Sequence, residues 1–363
     1  MSGLATTYNA VNLGQGFPDY PMNQQLAELV QKAVRDDYNQ YAPMPGWMPL
    51  REAIAEKIEF LHGAVVHPDR NITITPGGTC AIYTALTTIL QPGDEVIVFQ
   101  PAYDSYIPNI EVNGAIAIKI ELNIPSFTIP WPAVFAAVNE KTKAIIINTP
   151  HNPTGAIWTA DDMQQLIKLV TSTGIYVVSD EVYEHLVYDG NTHLSVLRYP
   201  ELADRSFVCF SFGKVYNCTG WKLGYCVAPD DLTVEFRKIY QFNAFSCFTP
   251  SQVAIAAFLK QKEAYLELAG IMEEKRNLLV RLMKSSRFNL GTSSGSYFIC
   301  GTYEKITDEK DSDFAMRLTK EAKVVTIPVS AFYQNGTEHK ILRFCFCKKN
   351  ETLEIAAERL SKW

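Results

Sequence analysis

The sequence predicts an α/β protein in two parts, a large domain on a mainly parallel, doubly wound sheet and a smaller α+β domain. Three observations carry this. Between residues 133 and 228 the chain alternates helix-like stretches (133–138, 160–172) with strand-like ones (144–148, 175–180, 207–211, 223–228), at lengths that suit parallel strands joined by crossover helices. After residue 261 the pattern changes to a long amphipathic stretch, 265–286, then short strand-like runs and a closing helix. A chain of 363 residues, 47% of them hydrophobic, exceeds the range of one core and has apolar material for two. The expected division is a large domain over 30–260 and a small domain made of 1–29 with 261–363.

Composition narrows the function classes. A net charge of −6 and no run of five like charges argue against a nucleic-acid partner, which requires a basic face. No stretch approaches eighteen uninterrupted apolar residues, and the N-terminal residues lack a basic segment followed by an apolar one, so no membrane association and a cytoplasmic location are expected. The eight cysteines show no C-x-x-C pairing, which suits neither zinc nor a disulfide framework, and no metal is expected. Cys345 and Cys347, two apart in a strand-like run, fall on one face.

In chain order, Gly14 and Gly16 lie in a Gly/Pro loop without the strand, turn and helix that a dinucleotide fingerprint requires. A helix over 25–37 leads to a loop in which Pro43, Pro45, Gly46 and Pro49 forbid regular helix, so Tyr41 sits on a rigid connection and a new helix begins near Leu50. A strand around Ile72 and Ile74 meets the Gly77-Gly78 turn, and a helix over 80–90 follows. Such a helix start leaves N–H groups unpaired at the positive end of its dipole, so Gly78, Thr79 and Cys80 suit a phosphate. The next strand ends at Gln100-Pro101, and Tyr103 follows.

Three later strands each deliver a polar group at the carboxyl end, where open α/β sheets bind ligands. The run AIIINTPHNPTG breaks at Asn152-Pro153, YVVSDEVYEH delivers Asp180 and Tyr183, and FVCF runs into Ser211 and Lys214, with Lys222 eight residues on. A lone S-x-x-K is commonly a surface loop, but here it follows two such strands. A lysine amine forms a Schiff base with a carbonyl and becomes nucleophilic where desolvation or neighbouring charge lowers its pKa, so Lys214 reads as the anchor of pyridoxal 5'-phosphate. Ser211 and Lys222 would then hold the phosphate.

The ordered set N-P-T-G, D-E-V-Y, S-F-G-K, G-W-K-L-G-Y and a late L-R-F resembles the class I/II pyridoxal phosphate-dependent aminotransferases of fold type I, from about Asn12 onward. Within that family, the runs QGFPDY, PHNPTG and TGWKLGYC are most similar to bacterial methionine aminotransferases and the kynurenine aminotransferase group. The resemblance implies a ping-pong exchange of the amino group between a neutral, bulky amino acid and a 2-oxo acid. It implies Asp180 at the pyridine nitrogen, Tyr183 and Asn152 at the ring oxygen, Tyr103 flat against the ring, and Lys214 moving a proton once the substrate amine displaces it. It also implies Arg343 clamping the substrate carboxylate with Gly16 beside it, and a homodimer in which Tyr41 reaches the partner's cofactor phosphate. Phe17, Tyr20, Trp47, Tyr103 and Phe245 become candidates for the side-chain pocket. Many relatives carry arginine where this chain has Lys222, so the phosphate meets a point charge. The competing readings are a β-lyase acting on cysteine conjugates or cystathionine, a non-catalytic cofactor-binding regulatory module, and a nicotinamide oxidoreductase.

Overall fold

The computed structural model describes residues 2–363. Its main sheet has seven strands, β1 (Ile72–Thr75), β2 (Glu95–Gln100), β3 (Ile116–Glu121), β4 (Thr142–Asn148), β5 (Tyr176–Asp180), β6 (Ser206–Ser211) and β7 (Gly224–Val227), in the spatial order β1-β7-β6-β5-β4-β2-β3. Pairings from β6 to β3 are parallel, whereas β7 runs antiparallel to both its neighbours. That reversal brings the start of β7, with Lys222 and Leu223 before it, to the edge where β1, β2, β4, β5 and β6 end. The mainly parallel sheet expected from the alternation is therefore present, with one strand inverted at a point that serves the site.

The strands are apolar on both faces because both are covered. Along β4 the side chains alternate: Ala144 and Ile146 join a cluster with Val98, Val178 and Phe207, while Ile145 and Ile147 join the opposite cluster with Ile97, Val177 and Val208. The helix Gly77–Ile89 begins three residues before the expected Cys80, because Gly77 takes φ +78° and turns the chain directly into its first turn. A Cβ on Gly78 would stand 2.7 Å from Val182 Cγ1, so this helix start is pressed against the turn that follows β5.

A third apolar cluster surrounds an antiparallel sheet of β8 (Asn289–Leu290), β9 (Phe298–Thr302), β10 (Ile327–Pro328) and β11 (Ile341–Cys345), ordered β10-β11-β9-β8. The N-terminal segment joins this part: Val11–Asn12 pairs with Val324–Val325, and the Cys345 N–H donates to the Leu13 carbonyl at 2.8 Å. The long stretch expected over 265–286 divides into Glu263–Leu266 and Leu268–Met283, with Tyr265 buried against the His185 ring at 4.9 Å between centroids. Cys345 and Cys347 do share a face, their sulfurs 3.2 Å apart. Among the described residues no helix is long and apolar enough to cross a membrane, and no group of three or more His, Cys, Asp or Glu is arranged to hold a metal ion.

Candidate active site

The carboxyl ends of β1, β2, β4, β5 and β6 surround a cavity of about 150 Å³. Of the residues singled out from sequence, Gly78, Thr79, Tyr103, Asn152, Asp180, Tyr183, Ser211, Lys214 and Lys222 line it. Lys214 stands on the short turn Phe212–Val215 that leaves β6. Its Nζ donates to the Gly16 carbonyl at 3.0 Å and lies 5.6 Å from the Tyr183 ring centre. Burial draws its ammonium pKa below the ordinary value, and Arg343 adds to that, against the opposing pull of Cys347, Cys345 and Asp180. Among the described residues no acid pairs directly with the amine, which is the environment a lysine nucleophile requires.

Asp180 ends β5 and is buried. One carboxylate oxygen accepts the Tyr106 hydroxyl at 2.6 Å, the other the Val182 N–H at 3.2 Å. Burial raises its pKa from 3.8 to about 6, while Tyr106, Val182 and Lys214 hold it from rising further. The Asn148 amide donates to the Asp180 carbonyl at 2.9 Å and its oxygen accepts the Asn152 N–H at 2.8 Å, locking the ends of β4 and β5 together. Burial pushes the Tyr183 phenol well above its ordinary pKa, and its ring meets Tyr297 and Phe298 edge-on.

At the opposite corner the helix Gly77–Ile89 presents its first turn with no side chain capping it. Lys222, held at φ +50° in the left-handed region, places its Nζ 3.6 Å from where a Cβ on Gly77 would stand. Thr79 and the Tyr103 hydroxyl are 3.5 Å apart. Unpaired N–H groups, a helix dipole, two hydroxyls and an ammonium here make an anion-binding corner.

Arg343 reaches the site from β11. Its guanidinium donates to Asn152 Oδ1 at 2.8 Å and to the Gly14 carbonyl at 2.6 Å, and it lies 4.0 Å and 4.8 Å from the Phe298 and Phe332 ring centres. Its Nε has no partner, and among the described residues no carboxylate pairs with it. A cation 7% exposed and held by neutral groups alone is set to receive an anion.

Eight candidates are not on the cavity wall; Arg343 meets it through Asn152, and Phe245 packs on Tyr41. The Cys80 thiol lies against Thr84 and Asn243, because the helix has already turned its side chain outward there. The Phe17 carbonyl accepts the Lys348 amine at 2.6 Å, while its ring is largely exposed. Tyr20 packs under the Lys275 ammonium, 5.3 Å from its ring centre. Trp47 packs edge-on against Tyr38, and Tyr41 packs edge-on against Phe245 at an exposed surface. Gly16 contributes only its carbonyl, to Lys214, and a Cβ there would strike the Phe298 ring at 2.4 Å.

The sequence reading missed Asn148 and Tyr106. A polar side chain closing the apolar run of β4 was the available signal for Asn148. Tyr106 gave none, since its partner is 74 residues away.

Residues 8–360 match the family described as aminotransferase class I and II. The chain belongs to that family. This aminotransferase is 43% identical to the methionine aminotransferase of Escherichia coli K12 over 361 residues, covering 99% of this chain and 94% of that one. It is 34% identical to human kynurenine–oxoglutarate transaminase 3 over 391 residues, covering 99% and 86%. A solved Escherichia coli structure, whose study identified a methionine aminotransferase function, superposes with a TM-score of 0.98 at 42% identity, covering 100% of this chain and 96% of that one.

The aminotransferase depends on pyridoxal phosphate, and its residues fit that group. The uncapped helix start with Lys222 suits the phosphate, the buried carboxylate of Asp180 suits a protonated ring nitrogen, and the desolvated Lys214 amine suits the aldehyde.

Proposed function

We propose that this aminotransferase moves the amino group of a neutral, bulky amino acid, of methionine or aromatic type, to a 2-oxo acid in two half-reactions of ping-pong form. The observation that carries the reading is the buried guanidinium of Arg343, with which among the described residues no carboxylate pairs, bonded to Asn152 on the wall of the cavity that holds the desolvated amine of Lys214. One cation, Arg343 behind Asn152, receives the α-carboxylate, and among the described residues no arginine stands on the cavity wall itself, so a side-chain carboxylate finds no guanidinium there.

When bound, pyridoxal phosphate supplies the carbonyl that takes up the amino group and the ring that draws electrons from the substrate Cα. Gly78, Thr79, the backbone N–H of Cys80, Ser211 and Lys222 hold the phosphate. Asp180 keeps the ring nitrogen protonated by a charge-assisted hydrogen bond, Tyr183 and Asn152 hold the ring oxygen, and Tyr103 packs on the ring face. Arg343, with Gly16 beside it, fixes the carboxylate and so aims the Cα–H bond at Lys214. Lys214 Nζ would take that proton from Cα and give it up to the former aldehyde carbon of the cofactor, the direction reversing in the second half-reaction. Phe17 and Tyr20 lie on the loop whose Gly16 and Phe17 carbonyls Lys214 and Lys348 hold, next to the cavity but off its wall.

The unit is a homodimer. Tyr41 is 81% exposed and packs edge-on against the exposed Phe245, an aromatic pair at the surface that supports an interface across which Tyr41 reaches the partner's phosphate. We take 30–260 as the large body and 1–29 with 261–363 as the small one, a division supported by the separate antiparallel sheet within 289–345 and by the pairing of Val11–Asn12 with Val324–Val325. Eight free cysteines support a reducing, cytoplasmic setting.

The test is a panel of twenty amino acids scored by loss of the cofactor's aldehyde absorbance. Methionine and aromatic amino acids are expected to react fastest; preference for aspartate or glutamate would overturn the substrate class. Release of pyruvate from cystathionine without transfer to an oxo acid would favour the β-lyase.

A further inference from the structure

Tyr106 opens the helix Tyr106–Glu111 behind β2, is 3% exposed, and gives its hydroxyl to Asp180 Oδ2. Among the described residues it is the one side chain that donates to that carboxylate; the other donor, the Val182 N–H, belongs to the turn that Asp180 itself begins and is longer, at 3.2 Å. The ring is held by packing, edge-on to Tyr103 at 5.6 Å, so the oxygen is placed without help from any other polar contact.

We propose that Tyr106 is a positioning residue for the cofactor ring: its O–H fixes the plane of the Asp180 carboxylate and keeps it ionised, leaving the remaining lone pairs for a protonated ring nitrogen. The inference rests on the assignment of Asp180 given under the proposed function.

Electrostatics support the geometry. The groups facing Asp180 are Tyr103 and Tyr106 from the segment after β2, Cys209 from β6, Lys214 from the turn after it, and Glu181 and Tyr183 from its own turn. Burial and Glu181 favour the neutral acid; Tyr106, Val182 and Lys214 favour the anion. Lys214 is committed to the Gly16 carbonyl, so Tyr106 is the side chain in direct contact that opposes neutralisation. A neutral carboxyl does not hold a ring cation.

The test is Tyr106→Phe, which deletes one oxygen and keeps the ring. Apoenzyme is titrated with pyridoxal phosphate by fluorescence quenching from pH 5.5 to 8.5, and the bound fraction is trapped with borohydride. Loss of a charge-assisted bond is expected to raise Kd about tenfold. It should also move upward the pH below which affinity falls, and by linkage lower the unfolding midpoint of the apoenzyme more at pH 8 than at pH 5.5. A purely structural role would lower the unfolding midpoint equally at both pH values without moving the pH at which affinity falls. In an Asp180→Asn background the same substitution should change Kd less than about twofold, because Tyr106 acts through the carboxylate. Wild-type affinity at every pH in Tyr106→Phe, or an undiminished loss in the Asp180→Asn background, overturns the inference. If the wild-type enzyme itself traps no cofactor on Lys214, it is the underlying assignment that fails.

Discussion

Replacing Asp180 by asparagine should stabilise the cofactor-free enzyme at neutral pH while removing most of its turnover. Burial raises this carboxyl from 3.8 to about 6, so the folded protein holds a proton that the unfolded chain has already lost. Below pH ~4 both states are protonated and the group costs nothing; as pH rises the folded state must ionise a buried acid. Linkage puts that cost at about 1.5 kcal/mol at pH 5 and about 3 kcal/mol at pH 8. Asparagine has no proton to lose, and the Tyr106 hydroxyl still finds an amide to bond. Urea unfolding of both apoproteins between pH 5 and 8 should show the variant gaining on wild type by roughly 1.5 kcal/mol across that window. With cofactor present the variant should turn over about 10³-fold more slowly, the scale of a lost electrostatic group. A difference in stability that does not vary with pH, or one that shrinks as pH rises, would refute the account of Asp180 as a carboxylate held against its burial.

Other substitutions test the remaining contacts. Arg343→Lys keeps the charge but loses the planar fork, so kcat/KM for amino acids should fall by about 10- to 100-fold, the range of one charge-assisted bond. The corresponding amine without a carboxylate should be unaffected, and equal losses on both would remove Arg343 from carboxylate recognition. Tyr41→Ala should weaken pyridoxal phosphate several-fold but leave unphosphorylated pyridoxal unchanged, read by equilibrium titration; equal weakening of both would detach Tyr41 from the phosphate. Gly155 sits at φ +79°, and a Cβ there would stand 2.4 Å from Ser293 Oγ and 2.6 Å from the Phe298 carbonyl. Gly155→Ala should therefore cost about 2 kcal/mol or more, and an unchanged unfolding midpoint would contradict that crowding.

What could be read from the chain was what the chain writes locally. The runs that became β4, β5 and β6 are apolar to their last residue and then polar, so Asn152, Asp180, Ser211 and Lys214 announced a shared sheet edge. The direction of β7 was not legible, because a strand buried on both faces has the same apolar pattern whichever way it runs. Propensity places glycine outside helices, which hid the helix start at Gly77 and with it the outward turn of Cys80. The aromatic residues near Gly16 suggested a pocket wall, but Tyr20 is claimed by Lys275 and the Phe17 backbone by Lys348, contacts formed between segments hundreds of residues apart. Tyr106 was invisible for the same reason: it opens a helix, and its meaning lies in a partner at the end of β5, 74 residues away.

The tether itself offers the most direct measurement. Holoenzyme reduced with borohydride and digested should yield one peptide carrying the phosphopyridoxyl mass, with fragmentation placing it on Lys214, and Lys214→Ala should yield none. The label on Lys222 or another lysine, or a reducible adduct that survives in Lys214→Ala, would contradict the account.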